Sequence, residues 1–209
     1  MTELNKILDA IKDKPIVPVL TIYNPDHAVP LADAFAEAEI NTLEITFRSE
    51  HAATAIEKIK TERPEMIIGA GTVIDSQNCH TAIDCGSDFV VTPGITEELL
   101  TALSNMPITA IPGITSVSEA METVEKGFTY QKLFPASIAG GPSFLKSIYA
   151  PLPQINFMPS GGISQKNASD YLSLNNVFCV CGTWMVNKEM VAQESWGQLA
   201  NYIKQHTSI

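Results

Sequence analysis

Two charged side chains, the carboxylate of Glu44 and the guanidinium of Arg48, lie in the run Thr42-Leu-Glu-Ile-Thr-Phe-Arg48. If this run is a β-strand, its polar side chains share one face and its apolar side chains share the other. The apolar face suits a helix layer, so the polar face points into the interior, where an unpaired charge is costly. The run therefore predicts either a Glu44–Arg48 ion pair that only satisfies itself or a ligand site. Arg48 is one of two arginines, and its guanidinium suits a bidentate clamp on a carboxylate.

Lys132 lies in the middle of a second short run, Tyr130-Gln-Lys-Leu-Phe-Pro135, with Tyr130 and Phe134 on its own face. A lysine in that position cannot easily reach water. Burial favours the neutral amine, which can attack a ketone and form a Schiff base. Lysines are almost never fully buried unless paired, so a structural lysine bound to a carboxylate is an equally open interpretation of this run.

Two glycine turns follow the last predicted strands. Ser160-Gly161-Gly162 comes after the seventh, and Gly182-Thr183 comes after the eighth. In an eight-fold α/β barrel the loops after these two strands commonly bind a phosphate through backbone N–H groups. A lone Gly-Gly pair is usually only a turn, but a second glycine turn one strand later favours phosphate binding.

Short β-rich runs alternate with longer helical patterns along the chain. The predicted strands are residues 16–21, 42–47, 67–72, 89–92, 108–111, 130–134, 155–159 and 177–180. Helical patterns cover 28–38, 52–60 and 96–103, and Ser116 with Glu119 forms a capping box. Eight strand-then-helix units without a G-x-G-x-x-G fingerprint favour a closed barrel over an open doubly wound sheet. We therefore predict an α/β fold, a single-domain (β/α)8 TIM barrel over residues 1–209, with an N-terminal helix carrying Leu4, Ile7, Leu8 and Ile11.

The bulk composition agrees with one compact domain. The 209 residues leave about 26 for each of eight units, near the lower size bound for such a barrel. With 45% hydrophobic and 17% charged residues the chain has enough apolar surface for a core, and no apolar run of membrane-spanning length occurs. The N-terminal pattern is unlike a signal peptide, so we expect a cytoplasmic protein without membrane association.

Charge and metal-ligand spacing exclude two other classes. A net charge of −10 with thirteen Lys and Arg argues against nucleic-acid binding. The four cysteines, Cys79, Cys85, Cys179 and Cys181, lack C-x2-C spacing, so we interpret them as buried free thiols, with Cys179 and Cys181 on one strand face. The four histidines are scattered, and we predict that the protein binds no metal.

Seven motifs, in order along almost the whole chain, resemble a known family. They are Leu43-Glu-Ile-Thr-Phe-Arg48, Gly69-Ala-Gly-Thr72, Thr92-Pro-Gly94, Ile111-Pro-Gly113, Lys132-Leu-Phe-Pro-Ala136, Pro159-Ser-Gly-Gly-Ile163 and Gly182-Thr-Trp184. Together they resemble the 2-keto-3-deoxy-6-phosphogluconate (KDPG) and 4-hydroxy-2-oxoglutarate (KHG) aldolases. This resemblance implies a class I aldolase that cleaves KDPG to pyruvate and glyceraldehyde 3-phosphate, with KHG, which gives pyruvate and glyoxylate, as a further candidate substrate.

The same resemblance implies roles for individual residues. Lys132 is then the Schiff-base lysine and Glu44 the general acid and base. Arg48 and Thr72 hold the pyruvate carboxylate, and the turn at Pro93 closes that end. The implied phosphate-binding residues are Ser160, Gly161, Gly162, Gly182 and Thr183. Family members act in sugar-acid catabolism without a metal or cofactor and are usually homotrimers, so the expected partners are a phosphorylated 2-keto-3-deoxy sugar acid, pyruvate and further copies of the chain.

This chain departs from the family pattern at three positions. Cys181 stands where a second glycine is usual in the last turn, and Thr183 replaces a common serine, so both changes fall in the turn that is expected to bind phosphate. Ser137 follows Phe-Pro-Ala where Glu is frequent, a change that we do not expect to stop Schiff-base chemistry. Ser160 keeps a small hydroxyl near the sugar-binding end, where the gluconate-type enzymes have threonine.

Three rival interpretations remain. A phosphosugar isomerase or decarboxylase on a similar barrel would use paired acidic residues, although no D-x-K-x-x-D pattern surrounds Lys132. A non-catalytic metabolite-binding barrel would keep the pocket and hold Lys132 in a salt bridge. A metal-dependent pyruvate aldolase would lose activity in the presence of a chelator.

Overall fold

The computed structural model describes residues 3–11 and 13–208. Its nine strands in these ranges are β1 Ile16–Leu20, β2 Thr42–Thr46, β3 Ile67–Gly71, β4 Phe89–Val91, β5 Thr109–Ile111, β6 Gly113–Ile114, β7 Tyr130–Leu133, β8 Asn156–Pro159 and β9 Val180–Gly182. The helices are α1 Glu3–Ala10, α2 Ala28–Glu37, α3 Ala52–Glu62, α4 Ser76–Asp84, α5 Glu97–Asn105, α6 Val117–Glu125, α7 Gly141–Tyr149, α8 Ala168–Leu172, α9 Lys188–Ala192 and α10 Trp196–His206. None of the described helices is long and apolar enough to cross a membrane.

The strands form two parallel sheets with helices between them in sequence. One sheet has the order β5-β4-β3-β2-β1-β9 and the other has the order β6-β7-β8. Parallel bridges Phe157↔Val177 and Ser160↔Cys181 join the region of β8 to that of β9. The predicted α/β fold with a parallel sheet and an N-terminal helix is confirmed, whereas the closed eight-stranded barrel stays a prediction.

The fifth predicted strand, residues 108–111, corresponds to β5, and a further short strand, β6, follows directly after Pro112. Proline has no N–H to offer to a sheet. Its carbonyl still takes part, because it accepts a hydrogen bond from the Lys132 amide at 2.8 Å. This backbone hydrogen bond helps to fix the register of Lys132 relative to the neighbouring strand.

The eighth strand was wrongly predicted as residues 177–180. The structure has β9 at Val180–Gly182, in register with Pro18 and its neighbours on β1, while Val177 makes only an isolated bridge. The apolar run was correctly identified, but Gly182 was assigned to the turn after the strand, whereas it is the last residue of β9. In fact it continues the backbone ladder, since pairing needs no side chain.

Apolar side chains pack in two clusters, one under the helices and one inside the sheets. The interior cluster contains Val17, Val19, Phe89, Val91, Ile111, Met158, Cys179 and Cys181, together with Ile7 and Ile11 near the N-terminus. Ile67, at the start of β3, packs against the same cluster. Helix α1 therefore covers the interior where the strands begin, and the polar residues described below lie toward the carboxyl ends of the strands.

Helix starts follow local sequence signals. The predicted capping box opens α6, since Ser116 Oγ accepts from the Glu119 amide and the Glu119 carboxylate accepts from the Ser116 amide. Asp75 and Thr96 cap α4 and α5 in the same way, each accepting from the third residue of its helix. These bonds satisfy amides that have no partner within the helix, and they fix where each preceding turn ends.

Candidate active site

Lys132 and Glu44 meet inside the fold. Lys132 Nζ donates to Glu44 Oε1 at 3.0 Å and lies 3.4 Å from Oε2, although β7 and β2 are 88 residues apart in sequence. Their side chains are 4% and 0% exposed. Lys132 Nζ also lies 5.4 Å from the centre of the Phe134 ring, where a cation is attracted to the aromatic face. This arrangement gives a nucleophile and a proton acceptor in direct contact, shielded from water.

Of the two interpretations of the Thr42–Arg48 run, the internal Glu44–Arg48 ion pair is wrong. Glu44 bonds Lys132, and β2 ends at Thr46, so Arg48 lies beyond the strand in an exposed turn. Period-two alternation was extended two residues too far. The other structural interpretation, a buried lysine paired to a carboxylate, matches the observed contact, and so does a Schiff-base lysine with its acid–base partner.

Gly71 leaves the space that the Glu44 carboxylate occupies. A Cβ atom built at Gly71 would lie far inside van der Waals contact of Glu44 Oε1, Cγ and Cδ. Thr46, two residues after Glu44, is the register partner of Gly71 across β2 and β3. Glycine at this position is therefore a condition for Glu44 to reach Lys132.

Gly71→Ala is expected to displace the Glu44 carboxylate. We expect kcat/KM for the aldol cleavage that the family resemblance implies to fall by about 10²-fold, because a shift of about 1 Å at a catalytic group has that order of effect. Gly197→Ala is a matched control, since a Cβ at Gly197 meets nothing within 4 Å. Steady-state kinetics of both variants checks this. Equal kcat/KM values in the two variants would contradict the role given to Gly71.

Arg48 and Thr72 lie in contact after β2 and β3. Arg48 Nε donates to Thr72 Oγ1 at 3.1 Å. Thr72 has a φ of 59°, a left-handed conformation that is costly for a β-branched residue and clusters at functional positions. A guanidinium carries five N–H donors, and among residues 3–11 and 13–208 the Arg48 side chain bonds only Thr72, through Nε, so its Nη groups are available for a carboxylate. The predicted pair is thus brought together with free donor capacity.

The turn containing Pro93 is held by its neighbours. Thr92 Oγ1 donates to the Gly94 carbonyl at 2.7 Å and accepts from the Gly113 amide at 2.9 Å. A Cβ at Gly113 would overlap the Thr92 carbonyl oxygen, so the glycine permits this close approach. Thr92 was not among the predicted site residues, and its full burial identifies it as the anchor of the half-buried Pro93 turn.

The Ser160-Gly161-Gly162 turn packs against the residues that follow Lys132. The amides of Ala136 and Ser137 donate to the carbonyls of Ser160 and Gly161 at 2.7 and 3.0 Å. Gly161 and Gly162 have φ values of 93° and 77°, which glycine adopts without strain. The close approach of the two turns thus explains both glycines structurally.

The Gly182-Thr183 turn lies beside this first turn, because Ser160 and Cys181 form a bridge. A Cβ at Gly182 would overlap the Trp184 ring, whose Nε1 donates to the His206 carbonyl at 2.8 Å. Among residues 3–11 and 13–208, the amides of Gly162 and Thr183 make no backbone hydrogen bond outside the regular helices and strands. Two such N–H groups on adjacent turns are suited to an anion.

A hydroxyl pair at the ends of β1 and β2 was missed by the sequence analysis. Thr21 Oγ1 lies 2.8 Å from Thr46 Oγ1, and Thr46 Oγ1 donates to the Leu20 carbonyl at 2.9 Å. Thr46 was placed on the polar face, but no local signal marks Thr21, which follows an apolar strand. Only the pairing of β1 with β2 brings the two hydroxyls together.

All four cysteines are buried and free, as predicted, and Cys179 and Cys181 both belong to the interior cluster. Burial raises the pKa of Cys79, of Cys85 and, most strongly, of Cys181, where the Cys179 thiol and the Glu44 carboxylate act in the same direction. The thiols of Cys79, Cys85 and Cys181 therefore stay protonated and unreactive near neutral pH.

We expect none of the four thiols to react with Ellman's reagent in the folded protein at about pH 8, because all four side chains are buried and the reagent reacts with accessible thiolates. All four should react once guanidinium chloride has unfolded the chain. Absorbance at the product wavelength measures both states. Rapid reaction of even one thiol in the folded protein would contradict the burial of these side chains.

Apart from Lys132 and Glu44, the predicted site residues fall into two groups at strand ends. Arg48, Thr72 and Pro93 follow β2, β3 and β4, whereas the two glycine turns follow β8 and β9. The carboxyl ends of parallel strands meet at one edge of a fold, so both groups are expected at the same edge as the ends of β2 and β7, whose residues Glu44 and Lys132 form the ion pair. Among the described residues no group of three or more His, Cys, Asp or Glu is arranged to hold a metal ion.

Comparison with known proteins gives one consistent result. The family pattern described as KDPG and KHG aldolase matches residues 7–202. The 2-dehydro-3-deoxy-phosphogluconate aldolase of Pseudomonas aeruginosa is 44% identical over 188 residues, which cover 90% of this chain and 86% of that protein.

Two solved structures share the fold over nearly their whole length. The Legionella pneumophila KDPG aldolase, with pyruvate captured as a covalent carbinolamine intermediate, has a TM-score of 0.91 at 39% identity and covers 96% of this chain and 98% of its own. The Zymomonas mobilis enzyme with 3-phosphoglycerate has a TM-score of 0.86 at 31% identity and covers 96% and 95%. With these matches, the chain belongs to the KDPG and KHG aldolase family.

Proposed function

We propose that this protein is a class I aldolase that cleaves 2-dehydro-3-deoxy-6-phosphogluconate to pyruvate and glyceraldehyde 3-phosphate through a Schiff base on Lys132. The observation that carries the proposal is the buried contact of 3.0 Å between Lys132 Nζ and Glu44 Oε1 in a chain of this family. The names of the relatives support the substrate, and the carbinolamine in the Legionella pneumophila protein supports the chemistry.

The first half of the reaction makes the electron sink. Glu44 takes a proton from Lys132, and the neutral amine adds to the C2 ketone to give a carbinolamine. Glu44 then returns that proton to the carbinolamine hydroxyl, which leaves as water, so that a protonated imine forms beside a carboxylate. The single contact between the two side chains allows one carboxylate to serve both transfers.

The second half breaks the carbon–carbon bond. The Glu44 carboxylate takes the proton of the C4 hydroxyl, the C3–C4 bond breaks, and its electron pair moves into the imine to give an enamine and the free aldehyde. Glu44 then protonates C3, which regenerates the imine. Water adds to this imine, and its hydrolysis releases pyruvate and the Lys132 amine.

Binding at the two ends of the substrate aligns these steps. We assign the pyruvate carboxylate to Arg48 and Thr72, with the Pro93 turn closing that end. The phosphate belongs at the amides of Gly161, Gly162 and Thr183, with Ser160 and Gly182 shaping the turns. Binding of both ends of the substrate positions its C2 atom near Lys132, and this orientation contributes to the rate of the reaction. A 3-phosphoglycerate molecule in the Zymomonas mobilis relative supports binding of a phosphate ester by this fold.

We further propose that residues 1–209 form one domain in which the two sheets close into a (β/α)8 barrel. The bridge from Ser160 to Cys181 and the hydrogen bond from the Lys132 amide to the Pro112 carbonyl support closure at the two seams. We also propose a homotrimer, supported by exposed apolar side chains at Ile138 and, one turn apart on α6, at Val117 and Met121. Sedimentation equilibrium tests that assembly, while cytoplasmic location and a metal-free, cofactor-free reaction stay predictions.

Incubation with pyruvate and borohydride, followed by intact mass and peptide mapping, tests the proposed function. Reduction of the imine would leave a pyruvate-derived adduct on Lys132. A folded protein that binds phosphate esters and forms no adduct would favour the isomerase, decarboxylase or metabolite-binding interpretations. An adduct with cleavage that stops in chelator would favour a metal-dependent step.

A further inference from the structure

We propose that Thr21 is a further substrate-binding residue, whose hydroxyl accepts a hydrogen bond from the C5 hydroxyl of the sugar acid. This inference rests on the proposed function and names a contact within the same site. It starts from the chain of hydroxyls at the carboxyl ends of β1 and β2, where Thr21 Oγ1 lies 2.8 Å from Thr46 Oγ1 and Thr46 Oγ1 donates to the Leu20 carbonyl.

The donor and acceptor in each of these hydrogen bonds are fixed by the Leu20 carbonyl at the end of the series. A carbonyl oxygen has no proton, so Thr46 must donate to Leu20. A hydroxyl has one proton, and that of Thr46 is used in this bond. Thr21 must therefore donate to Thr46. The Thr21 proton is then used in the bond to Thr46. Toward a bound substrate the Thr21 oxygen can therefore act only as a hydrogen-bond acceptor.

Because the Thr21 hydroxyl can only accept a hydrogen bond, it can bind only those groups of the proposed substrate that donate one. Carboxylate and phosphate oxygens are themselves acceptors near neutral pH, so they gain nothing from Thr21. A substrate hydroxyl has a proton to donate and does gain. The half-buried position of Thr21 limits competition from water and makes that bond specific.

Strand order assigns the hydroxyl. In the sheet order β2-β1-β9, Thr21 follows the strand that separates the Arg48 turn from the Thr183 turn. A substrate whose carboxylate lies at the first turn and whose phosphate lies at the second passes over β1 between them. The C4 hydroxyl gives its proton to Glu44 during cleavage, so the C5 hydroxyl is the donor that stays intact for Thr21.

Thr21→Val tests the contact, because valine keeps the branched shape and removes the oxygen, while Thr46 retains its bond to Leu20. We expect kcat/KM for cleavage of 2-dehydro-3-deoxy-6-phosphogluconate to fall roughly 3- to 10-fold, the effect of losing one ordinary hydrogen bond. The rate of borohydride-trapped imine formation with pyruvate, which has no C5, should stay within about twofold of wild type. Thr21→Ser should restore cleavage, since it keeps the hydroxyl.

Other outcomes would overturn the inference in distinguishable ways. An equal loss of cleavage and of pyruvate trapping would mean that Thr21 supports the whole site and does not bind a hydroxyl. Unchanged cleavage would mean that it makes no contact with the substrate. Failure of the wild-type protein to form the pyruvate adduct would overturn the proposed function first and this inference with it, before any variant is compared.

Discussion

Replacing Lys132 with Met is expected to abolish both turnover and the pyruvate adduct. Methionine has a similar length and fills the buried space, but it has no nucleophilic nitrogen, so the covalent route is lost. Removal of a nucleophile from a catalytic unit lowers the rate by factors on the order of 10⁴ to 10⁶. Cleavage measured by coupled pyruvate release, together with intact mass after borohydride treatment, checks both parts of the expectation.

The same substitution leaves the Glu44 carboxylate buried without its partner. Breaking a buried pair in this way costs about 3–5 kcal/mol, so the single variant should unfold at a lower denaturant concentration than wild type. The double variant Lys132→Met with Glu44→Gln removes the orphaned charge and should regain much of that stability, yet stay inactive. This pair of variants separates lost chemistry from lost folding. Activity within about tenfold of wild type in a folded Lys132→Met protein would exclude Lys132 as the Schiff-base residue.

The residues that meet inside the fold were predictable because strand alternation is a short-range rule. Glu44 and Lys132 each lie mid-strand, where the period of two is reliable, and both indeed point inward with less than 5% of their side chains exposed. Their partnership was not derivable from either run alone. It depends on β2 and β7 facing the same interior, and the sequence of a single strand does not determine which other strand it faces.

Predictions failed where a strand ended or where a site needed two strands. Strand alternation predicted that Arg48 points into the interior, but β2 stops at Thr46. Arg48 lies in the turn that follows, where its side chain bonds Thr72. Gly182 was interpreted as a turn, yet it pairs with Pro18. The Thr21 hydroxyl had no signal of its own, because its function follows from the direction of a hydrogen bond on the neighbouring strand. Boundaries and cross-strand contacts are set by tertiary structure.

Glu44→Gln is expected to slow cleavage by roughly 10²–10⁴-fold, the range for loss of a general acid–base group. The amide oxygen can still accept from Lys132 at the observed 3.0 Å, so the amine stays in position, but the amide cannot take or return a proton. Every step assigned to Glu44 should slow, including protonation of the enamine at C3. Exchange of the pyruvate methyl protons in heavy water, followed by NMR, reports that step without any aldehyde.

Glu57→Gln, on the exposed face of α3, is the matched control and should exchange at the wild-type rate. Slow exchange and slow cleavage in Glu44→Gln alone would assign both proton transfers to the one buried carboxylate. If cleavage slowed while exchange at the methyl carbon kept its wild-type rate, C3 would have to receive its proton from another group. Glu44 would then serve the C4 hydroxyl only. That outcome would divide a role which the geometry assigns to a single side chain, because no second carboxylate among the described residues forms an ion pair with Lys132.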